Sequence, residues 1–191
     1  MLAGKKVILR PPEIRDAGVL QKWYMDKEFR QAYDAYESID MDSILNEIAQ
    51  SKGIFDPQMS RLILLVLRAR DQKPIGLCCM RDIDKNNGNA EVLLGIGEKD
   101  MRLAGFGLDT FVTLLDFAYY ELGLHKTYMR VLESNPFGLQ NALKFGYKPE
   151  GHLRDQAFVD GGYINVFFLG LLKDEYEKLS IVSRWKKRRS F

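Results

Sequence analysis

Cysteine and histidine are scarce in this chain of 191 residues, which has two of each. The two cysteines, Cys78 and Cys79, are neighbours, and neighbours in an extended strand point to opposite faces. They therefore cannot cross-link distant segments, and no spacing typical of a metal site is present. The sequence predicts reduced thiols, a cytoplasmic location and no bound metal.

Long apolar runs and an excess of charge of one sign are also missing. No window approaches the roughly 18 consecutive apolar residues of a membrane-spanning helix, and the first residues contain no apolar stretch of signal-peptide length. The 28 basic and 26 acidic residues leave a formal net charge of only +2. So small a charge does not indicate nucleic acid as the main partner. We therefore expect a soluble protein that binds neither a membrane nor DNA.

The chain has the usual length of one domain and contains no internal repeat. We expect a single domain over residues 1–176 and a basic C-terminal tail over residues 177–191, where the sequence SRWKKRRSF clusters positive charge. Short charge runs of this kind are usually solvated, so the tail is expected to be loose.

Apolar periodicity in the first half of the chain predicts a strand, two helices and three further strands. The segment VILR at residues 7–10 has strand character, and two stretches with helical spacing follow, the second ending near Gly53. Three apolar runs separated by turn sequences then form predicted antiparallel strands, at residues 61–69, 74–82 and 90–97.

The second half of the chain predicts a crossover and a hairpin. A helical stripe runs from Gly107 to Gly123, and a strand and a second helix follow, the latter starting at Asn135 with Pro136 in its first position. Two final strands are joined by Asp-Gly-Gly. The predicted fold class is α+β, with the order β-α-α-β-β-β-α-β-α-β-β, about seven strands and about four helices.

The most informative segment joins an apolar strand to a helix through residues 102–107, Arg-Leu-Ala-Gly-Phe-Gly, with the spacing R-x-x-G-x-G. Glycines let the backbone approach a ligand closely, and exposed amides at the start of a helix favour an anion. Pyrophosphate is a suitable anion. A pair of glycines before a helix is also often only a tight turn, so the loop by itself leaves both interpretations open.

Two other phosphate-binding motifs fit this loop poorly. A dinucleotide fingerprint needs a third glycine where Thr110 stands. A P-loop needs Gly-Lys-Ser/Thr, whereas Gly107 is followed by Leu108 and Asp109.

The R-x-x-G-x-G loop after a fourth strand resembles the phosphate loop, Q/R-x-x-G-x-G/A, of the GNAT N-acetyltransferase superfamily. In a second signature of that superfamily, an asparagine begins a helix that ends in Lys-x-Gly-aromatic, and Asn135, Lys144, Gly146 and Tyr147 match it. The segments AEVLLGIGEKD and FVDGGYINVFFLGLLKDEY are similar to the branch containing ribosomal-protein alanine and spermidine acetyltransferases. The resemblance covers roughly residues 7–176.

This resemblance implies a GNAT fold, with a mixed, mostly antiparallel twisted sheet, and acetyl-CoA as the acetyl donor. It implies that the loop amides bind the cofactor's pyrophosphate and that the strand before the loop runs along the pantetheine arm. The implied cofactor-binding residues are Ile96, Gly97, Arg102, Leu103, Ala104, Gly105, Phe106, Gly107, Leu108 and Asn135. Asn135 also fits as a simple helix cap before Pro136, and both roles can coexist.

Acetyl transfer needs a neutral amine, and an alkylamine with a pKa near 10.4 is less than about 0.1% neutral at pH 7. Glu91 is the candidate catalytic base because it matches a glutamate common in the resembling branch, and a buried setting is expected to raise its pKa. The alternative is that Glu91 faces solvent or closes an ion pair. Glu133 and Asp155 are weaker candidates for the base.

Many members of the superfamily protonate the leaving thiolate with a tyrosine at the position of Ala142. Because this chain has alanine there, solvent or another tyrosine, such as Tyr147, is expected to protonate the thiolate.

Acceptor recognition is expected from the first helical pair, including the polar stretch at residues 25–40, and from the final hairpin. Tyr33 and Tyr36 are predicted to bind substrate. Nearby carboxylates are expected to attract a cationic amine, namely Asp26, Glu28, Asp34 and Glu37. The expected function is transfer of an acetyl group from acetyl-CoA to a primary amine by direct attack, with a protein N-terminus as the preferred acceptor. The alternatives are acetylation of a polyamine or another small amine, and a non-catalytic acyl-CoA sensor. We expect a monomer or a homodimer.

Overall fold

Eight strands and seven α-helices make up the computed structural model, which describes residues 1–33, 39–51 and 59–187. The strands, in chain order, are β1 (Leu2–Ala3), β2 (Val7–Arg10), β3 (Leu62–Arg68), β4 (Pro74–Asp84), β5 (Asn89–Ile96), β6 (Lys126–Leu132), β7 (Lys148–Val159) and β8 (Gly162–Leu172). The helices are α1 (Ala17–Met25), α2 (Lys27–Tyr33), α3 (Met41–Gln50), α4 (Phe106–Asp116), α5 (Pro136–Phe145), α6 (Lys173–Lys178) and α7 (Ser180–Lys187). One turn of π-helix, Phe117–Glu121, extends α4.

All eight strands form one sheet with the order β1-β2-β3-β4-β5-β6-β8-β7. Neighbouring strands are antiparallel except for β5 and β6, which are parallel and connected by α4. The predicted α+β class, the crossover and the final hairpin are therefore confirmed. The two-residue strand β1 adds an edge that the sequence pattern did not indicate.

The parallel strands β5 and β6 stay together for only three residue pairs, which end at Glu91 and Tyr128. Beyond these pairs, β5 continues beside β4 to Ile96, whereas β6 continues beside β8 to Leu132. We call the resulting gap between residues 92–96 and 129–132 the fork. Since α4 follows β5 and α5 follows β6, both helices begin near the open end of the fork.

The sheet is covered on both faces, and each face has its own apolar core. On one face α4 packs through Val112 and Leu115. On the other face α1, α2 and α3 contribute Trp23, Phe29 and Ile44. Because successive strand residues point to opposite faces, β4 and β5 supply residues to both cores. The strands that border the fork on one side, β4 and β5, are thus packed on both faces.

Two helical regions differ from the sequence expectation. α2 forms in a region for which the sequence pattern predicted no helix, because Phe29 and Tyr33, four residues apart, are buried on one side of it. In the expected tail, α7 is helical and its Val182 is 1% exposed, so this part packs on the core and is not loose. Residues 188–191 lie outside the described residues, and the division at residue 176 stays a prediction.

No helix within the described ranges is long and apolar enough to cross a membrane.

Candidate functional site

The loop between β5 and α4 presents backbone amides at the open end of the fork. Gly105 is the N-cap residue of α4 and has a φ of +79°, in the left-handed region that favours glycine. No side chain caps this helix. The first-turn amides of Phe106, Gly107 and Leu108 have no intrahelical acceptor, which makes the start of α4 a ready anion site.

Two residues of the loop that precedes these amides are exposed. Leu103 is 91% exposed and Ala104 is also exposed. A Cβ at Gly107 would lie 3.8 Å from side-chain atoms of Leu94 and Ile96, an ordinary contact distance. Gly107 is therefore not required by packing.

Arg102 connects this loop to the end of β5 and to α2. Its Nε donates to the Ile96 carbonyl at 3.2 Å, and its Nη1 donates to Glu28 Oε2 at 3.1 Å. Glu28 also pairs with Lys99 at 2.9 Å, and hydrogen bonds from Lys99 and Arg102 lower its pKa. The Glu28 carboxylate is thus already paired with two cations, which differs from its expected role of attracting an amine.

The end of β5 is packed tightly beneath the aromatic side chains of α1 and α2. A Cβ at Gly97 would come within 2.4 Å of the Trp23 ring, and one at Gly95 within 2.7 Å of the Phe29 ring. Both glycines are therefore explained by packing. Contact of Ile96 and Gly97 with a pantetheine arm stays a prediction.

Asn135 stands at the start of α5, where it has the expected capping role. Its Oδ1 accepts a hydrogen bond from the Gly138 amide at 2.8 Å, and Pro136 occupies the first turn. Its Nδ2 donates to the Gln31 carbonyl at 3.3 Å, which links α5 to α2 at the open end of the fork. The helix cap is observed directly, whereas contact with the cofactor stays a prediction.

Glu91 is fully buried at the closed end of the fork. Its carboxylate accepts hydrogen bonds from Arg81 Nε at 2.5 Å and from Arg130 Nε and Nη2 at 3.0 and 2.6 Å. Burial raises the pKa of Glu91, but the hydrogen bonds from Arg130 and Arg81 outweigh it and hold the pKa below its ordinary value. The expected rise in pKa is therefore wrong, and the ion-pair alternative is what the structure shows.

Glu133 and Asp155 meet at Asn165, near the end of β6. Glu133 accepts from the Asn165 amide at 3.0 Å and from its Nδ2 at 2.9 Å, while Asn165 Oδ1 accepts from the Asp155 amide at 3.0 Å. Asp155 has a φ of +48° and lies in an irregular part of β7. Both carboxylates are exposed, and neither has a cationic partner in the described part of the chain. They form an uncompensated negative surface at the open end of the fork.

Tyr33 is 6% exposed, which is little for a residue predicted to bind substrate. Its ring stacks on Phe29 at 5.4 Å between centroids, and its buried hydroxyl has no hydrogen-bond partner among the described residues. Burial raises the pKa of Tyr33 well above its ordinary value. Its substrate role stays a prediction. Tyr36, Asp34 and Glu37 lie outside the described residues.

Two other side chains with possible chemistry are buried and inert. The Tyr147 hydroxyl lies 2.7 Å from Thr127 Oγ1, which in turn contacts the Tyr119 hydroxyl, and burial raises the pKa of Tyr147 well above its ordinary value. Tyr147 is thus a poor proton donor for a thiolate in the fork. Burial raises the pKa of the Cys79 thiol to about 11, so it is not a nucleophile at neutral pH.

Sequence reasoning missed two residues beside the loop of residues 102–107, Lys6 and Asp109. The fully buried Asp109 carboxylate accepts hydrogen bonds from the amides of Lys5 and Val7, each at 3.1 Å, and from the Lys6 amide. These bonds fix the turn between β1 and β2 against the first turn of α4. The partners are about a hundred residues apart, and no local pattern signals such a contact.

The arrangement fits coenzyme A. The uncapped amides and the left-handed Gly105 suit a pyrophosphate, and the fork offers a gap between two strands for an extended arm. Within the described ranges, no group of three histidine, cysteine or acidic side chains is placed to hold a metal ion.

Comparisons with known proteins point to one family. The sequence model of the family described as acetyltransferase (GNAT) domain matches residues 6–148 of this chain. The chain is 26% identical over 181 residues to a protein of Bacillus licheniformis described as uncharacterized N-acetyltransferase p20, covering 92% of this chain and 97% of that protein. It is 26% identical over 148 residues to spermidine N(1)-acetyltransferase of Vibrio cholerae, covering 78% of this chain and 79% of that protein.

A solved structure shares the fold. The crystal structure of spermidine N-acetyltransferase from Vibrio cholerae in complex with CoA and spermine superposes with a TM-score of 0.79. The match has 24% sequence identity and covers 91% of this chain and 99% of that chain.

Proposed function

The chain belongs to the acetyltransferase (GNAT) family, and from this premise we propose that it transfers an acetyl group from acetyl-CoA to a primary amine of a small polyamine. The observation that carries the proposal is the uncapped start of α4 at the open end of the fork. An anion site beside a gap between strands suits a donor that has a pyrophosphate and an extended arm.

We propose that the loop residues bind the donor substrate through their backbone. The amides between Leu103 and Leu108 would contact the pyrophosphate, because the left-handed Gly105 and the side-chain-free Gly107 leave them accessible. Ile96 and Gly97 on one side of the fork and Asn135 on the other would border the arm. Arg102 would act mainly by holding the loop to Ile96 and Glu28.

Acetyl-CoA supplies a thioester, whose carbonyl carbon is the electrophile. The lone pair of the neutral amine nitrogen attacks this carbon, the C–N bond forms and the C–S bond breaks, and the sulfur keeps the electron pair. The nitrogen loses one proton to solvent, and the thiolate, with an ordinary pKa near 8.5, takes one proton from solvent. A direct attack needs no nucleophile from the protein, which agrees with the buried state of Cys79.

Glu91 was the sequence candidate for the base, and its surroundings favour a different role. A carboxylate that is buried, paired with two arginines and lowered in pKa is a weak proton acceptor. We propose that Glu91 holds β4, β5 and β6 together at the closed end of the fork.

The acceptor is proposed from the charge at the open end of the fork. Glu133 and Asp155 are exposed carboxylates without cationic partners in the described ranges, so an ammonium group gains there an ionic interaction that no lysine or arginine of those ranges already makes. A polyamine has one amine to be acetylated and further ammonium groups for such a surface. The relatives described as spermidine acetyltransferases support this choice over a protein N-terminus.

The test is acceptor-dependent release of free thiol from acetyl-CoA. Spermidine, spermine, monoamines of matched length, amino sugars and peptides with free N-termini are compared at equal concentration. Turnover with polyamines that exceeds turnover with monoamines supports the proposal. Turnover confined to peptides would move the acceptor to a protein N-terminus, and absence of acetyl-CoA binding would overturn the proposal altogether.

Location and assembly stay proposals. Cys78 and Cys79 are free and buried, which is compatible with a reducing compartment such as the cytoplasm. A monomer or a homodimer is expected.

A further inference from the structure

Lys6 lies beside the phosphate loop although it belongs to the other end of the chain. Its Nζ donates to the Ala104 carbonyl at 2.9 Å and lies 5.8 Å from the centroid of the Phe106 ring. A Cβ built on Gly105 would lie 3.5 Å from the same nitrogen. The ammonium group is therefore next to the residue that begins α4.

The backbone of Lys6 is held in this position by α4 itself. The Asp109 carboxylate, in the first turn of α4, accepts hydrogen bonds from the amides of Lys6 and Val7 on one oxygen and of Lys5 on the other. The carboxylate is fully buried, so these bonds are shielded from water. The lysine thus starts from a fixed point, which lowers the entropy lost when its side chain binds a ligand.

The Lys6 side chain keeps hydrogen-bonding capacity for a ligand. An ammonium group has three N–H donors, and the Ala104 carbonyl takes one of them. The side chain is exposed, and no carboxylate among the described residues pairs with it. Arg102, the cation that the motif itself supplies, instead uses Nε on Ile96 and Nη1 on Glu28.

We propose that Lys6 is a phosphate-binding residue of this site and that its ammonium group contacts a phosphate of the CoA nucleotide, an inference that rests on the proposed function. The uncapped amides of α4 and the Lys6 ammonium group converge near Gly105, so one anionic group can bind both. The ligand group is a phosphate that carries one or two negative charges. CoA has two such groups, the pyrophosphate and the 3′-phosphate.

The experiment measures the dissociation constants of CoA and dephospho-CoA by calorimetry for the wild type, Lys6→Met and Lys173→Met. Lys173 is a matched control because its Nζ also lies over an aromatic ring, that of Tyr120 at 5.3 Å, and it begins α6 outside the loop. A thermal unfolding curve of each variant checks that the fold is kept.

Lys6→Met is expected to weaken CoA binding about tenfold, in keeping with loss of a charge-assisted hydrogen bond, while Lys173→Met stays within about twofold. An equal loss for dephospho-CoA assigns Lys6 to the pyrophosphate, and a loss confined to CoA assigns it to the 3′-phosphate. Equal affinities of Lys6→Met and Lys173→Met would overturn the inference while leaving the proposed function intact. A wild-type protein that does not bind CoA would overturn both.

Discussion

Arg130 forms a two-point hydrogen bond with Glu91, with its Nη2 2.6 Å from Oε2 and its Nε 3.0 Å from Oε1. Glu91 is in the last residue pair that joins β5 to β6, so this contact lies where the two strands begin to diverge. Arg81 of β4 completes the cluster. Paired geometry of this kind is strong when buried, and it fixes three strands relative to one another.

Glu91→Gln is expected to destabilise the protein at pH 7 by about 2 kcal/mol, because Arg81 and Arg130 lose the buried carboxylate that they share. Asp82→Asn is the matched control, since Asp82 lies 3.8 Å from the same Arg130 but its side chain is 64% exposed. That exposed pair is expected to contribute less than about 0.5 kcal/mol. Urea unfolding of the two variants makes the comparison, and equal losses would contradict the proposed role.

The same contact predicts a pH dependence of stability. The pKa of Glu91 is lower in the folded protein than its ordinary value of 4.5. The stabilisation is therefore present above the unfolded-state pKa and is lost as the pH falls below about 4.5 toward the folded-state pKa. The difference in unfolding free energy between wild type and Glu91→Gln should shrink over that interval. A difference that is constant from pH 7 to pH 3 would show that the charge of Glu91 is not involved.

A pH profile of turnover distinguishes a role of Glu91 as the catalytic base from a structural role in holding the strands together. If Glu91 holds the strands, Glu91→Gln keeps the rise of kcat/KM with pH, because that rise follows deprotonation of the acceptor amine. Its kcat falls only as far as the fork is disturbed. If kcat/KM of Glu91→Gln no longer rises with pH while its CoA affinity is unchanged, Glu91 acts as the catalytic base.

If the loop of residues 102–107 binds the donor, bulky substitutions of its glycines are expected to weaken donor binding. Gly107→Val is expected to weaken CoA binding at least tenfold by covering the amides, whereas Gly107→Ala has room and is expected to change it little. Gly105→Val adds backbone strain, since φ is +79° there. Gly161→Val is a control for that strain, with φ of +84° at the hairpin between β7 and β8. Equal CoA affinity of Gly105→Val and Gly161→Val would argue against the loop as the donor site.

If Glu133 and Asp155 bind the acceptor, their substitution should change the KM for the acceptor without changing the affinity for the donor. Glu133→Gln and Asp155→Asn are each expected to raise the KM for spermidine about fivefold, or about 1 kcal/mol, and to leave the CoA dissociation constant unchanged. Asp174→Asn removes an exposed carboxylate from α6 and controls for general charge. Unchanged spermidine KM in both variants would place the acceptor elsewhere in the fork.

The order of the elements and the family were predictable because their signals are local. The paired glycines of the loop, Asn135 with Pro136, and the alternation of apolar residues each act within a few positions. Acetyl-CoA as donor and the GNAT fold, both implied by resemblance, are confirmed by the family match. α2 was missed because only Phe29 and Tyr33 mark its buried side.

The contacts that decide the chemistry were not predictable because they join distant residues. Burial alone suggested a raised pKa for Glu91, whereas Arg130, 39 positions away, reverses the direction. Likewise, Lys6 reaches Ala104 across 98 positions. Sequence patterns indicate whether a residue is buried, but they do not indicate which charged residue from a distant part of the chain contacts it.

The short pairing of β5 with β6 divides the sheet into two pieces that are each continuous in sequence. Strands β1 to β5 form one piece and β6 to β8 the other, and only three backbone residue pairs connect them. A donor bound in the fork, as we propose, would contact both pieces and form a non-covalent bridge across their boundary. A ligand that binds only the joined arrangement stabilises that arrangement, so we expect the two pieces to resist separation more strongly when the donor is bound.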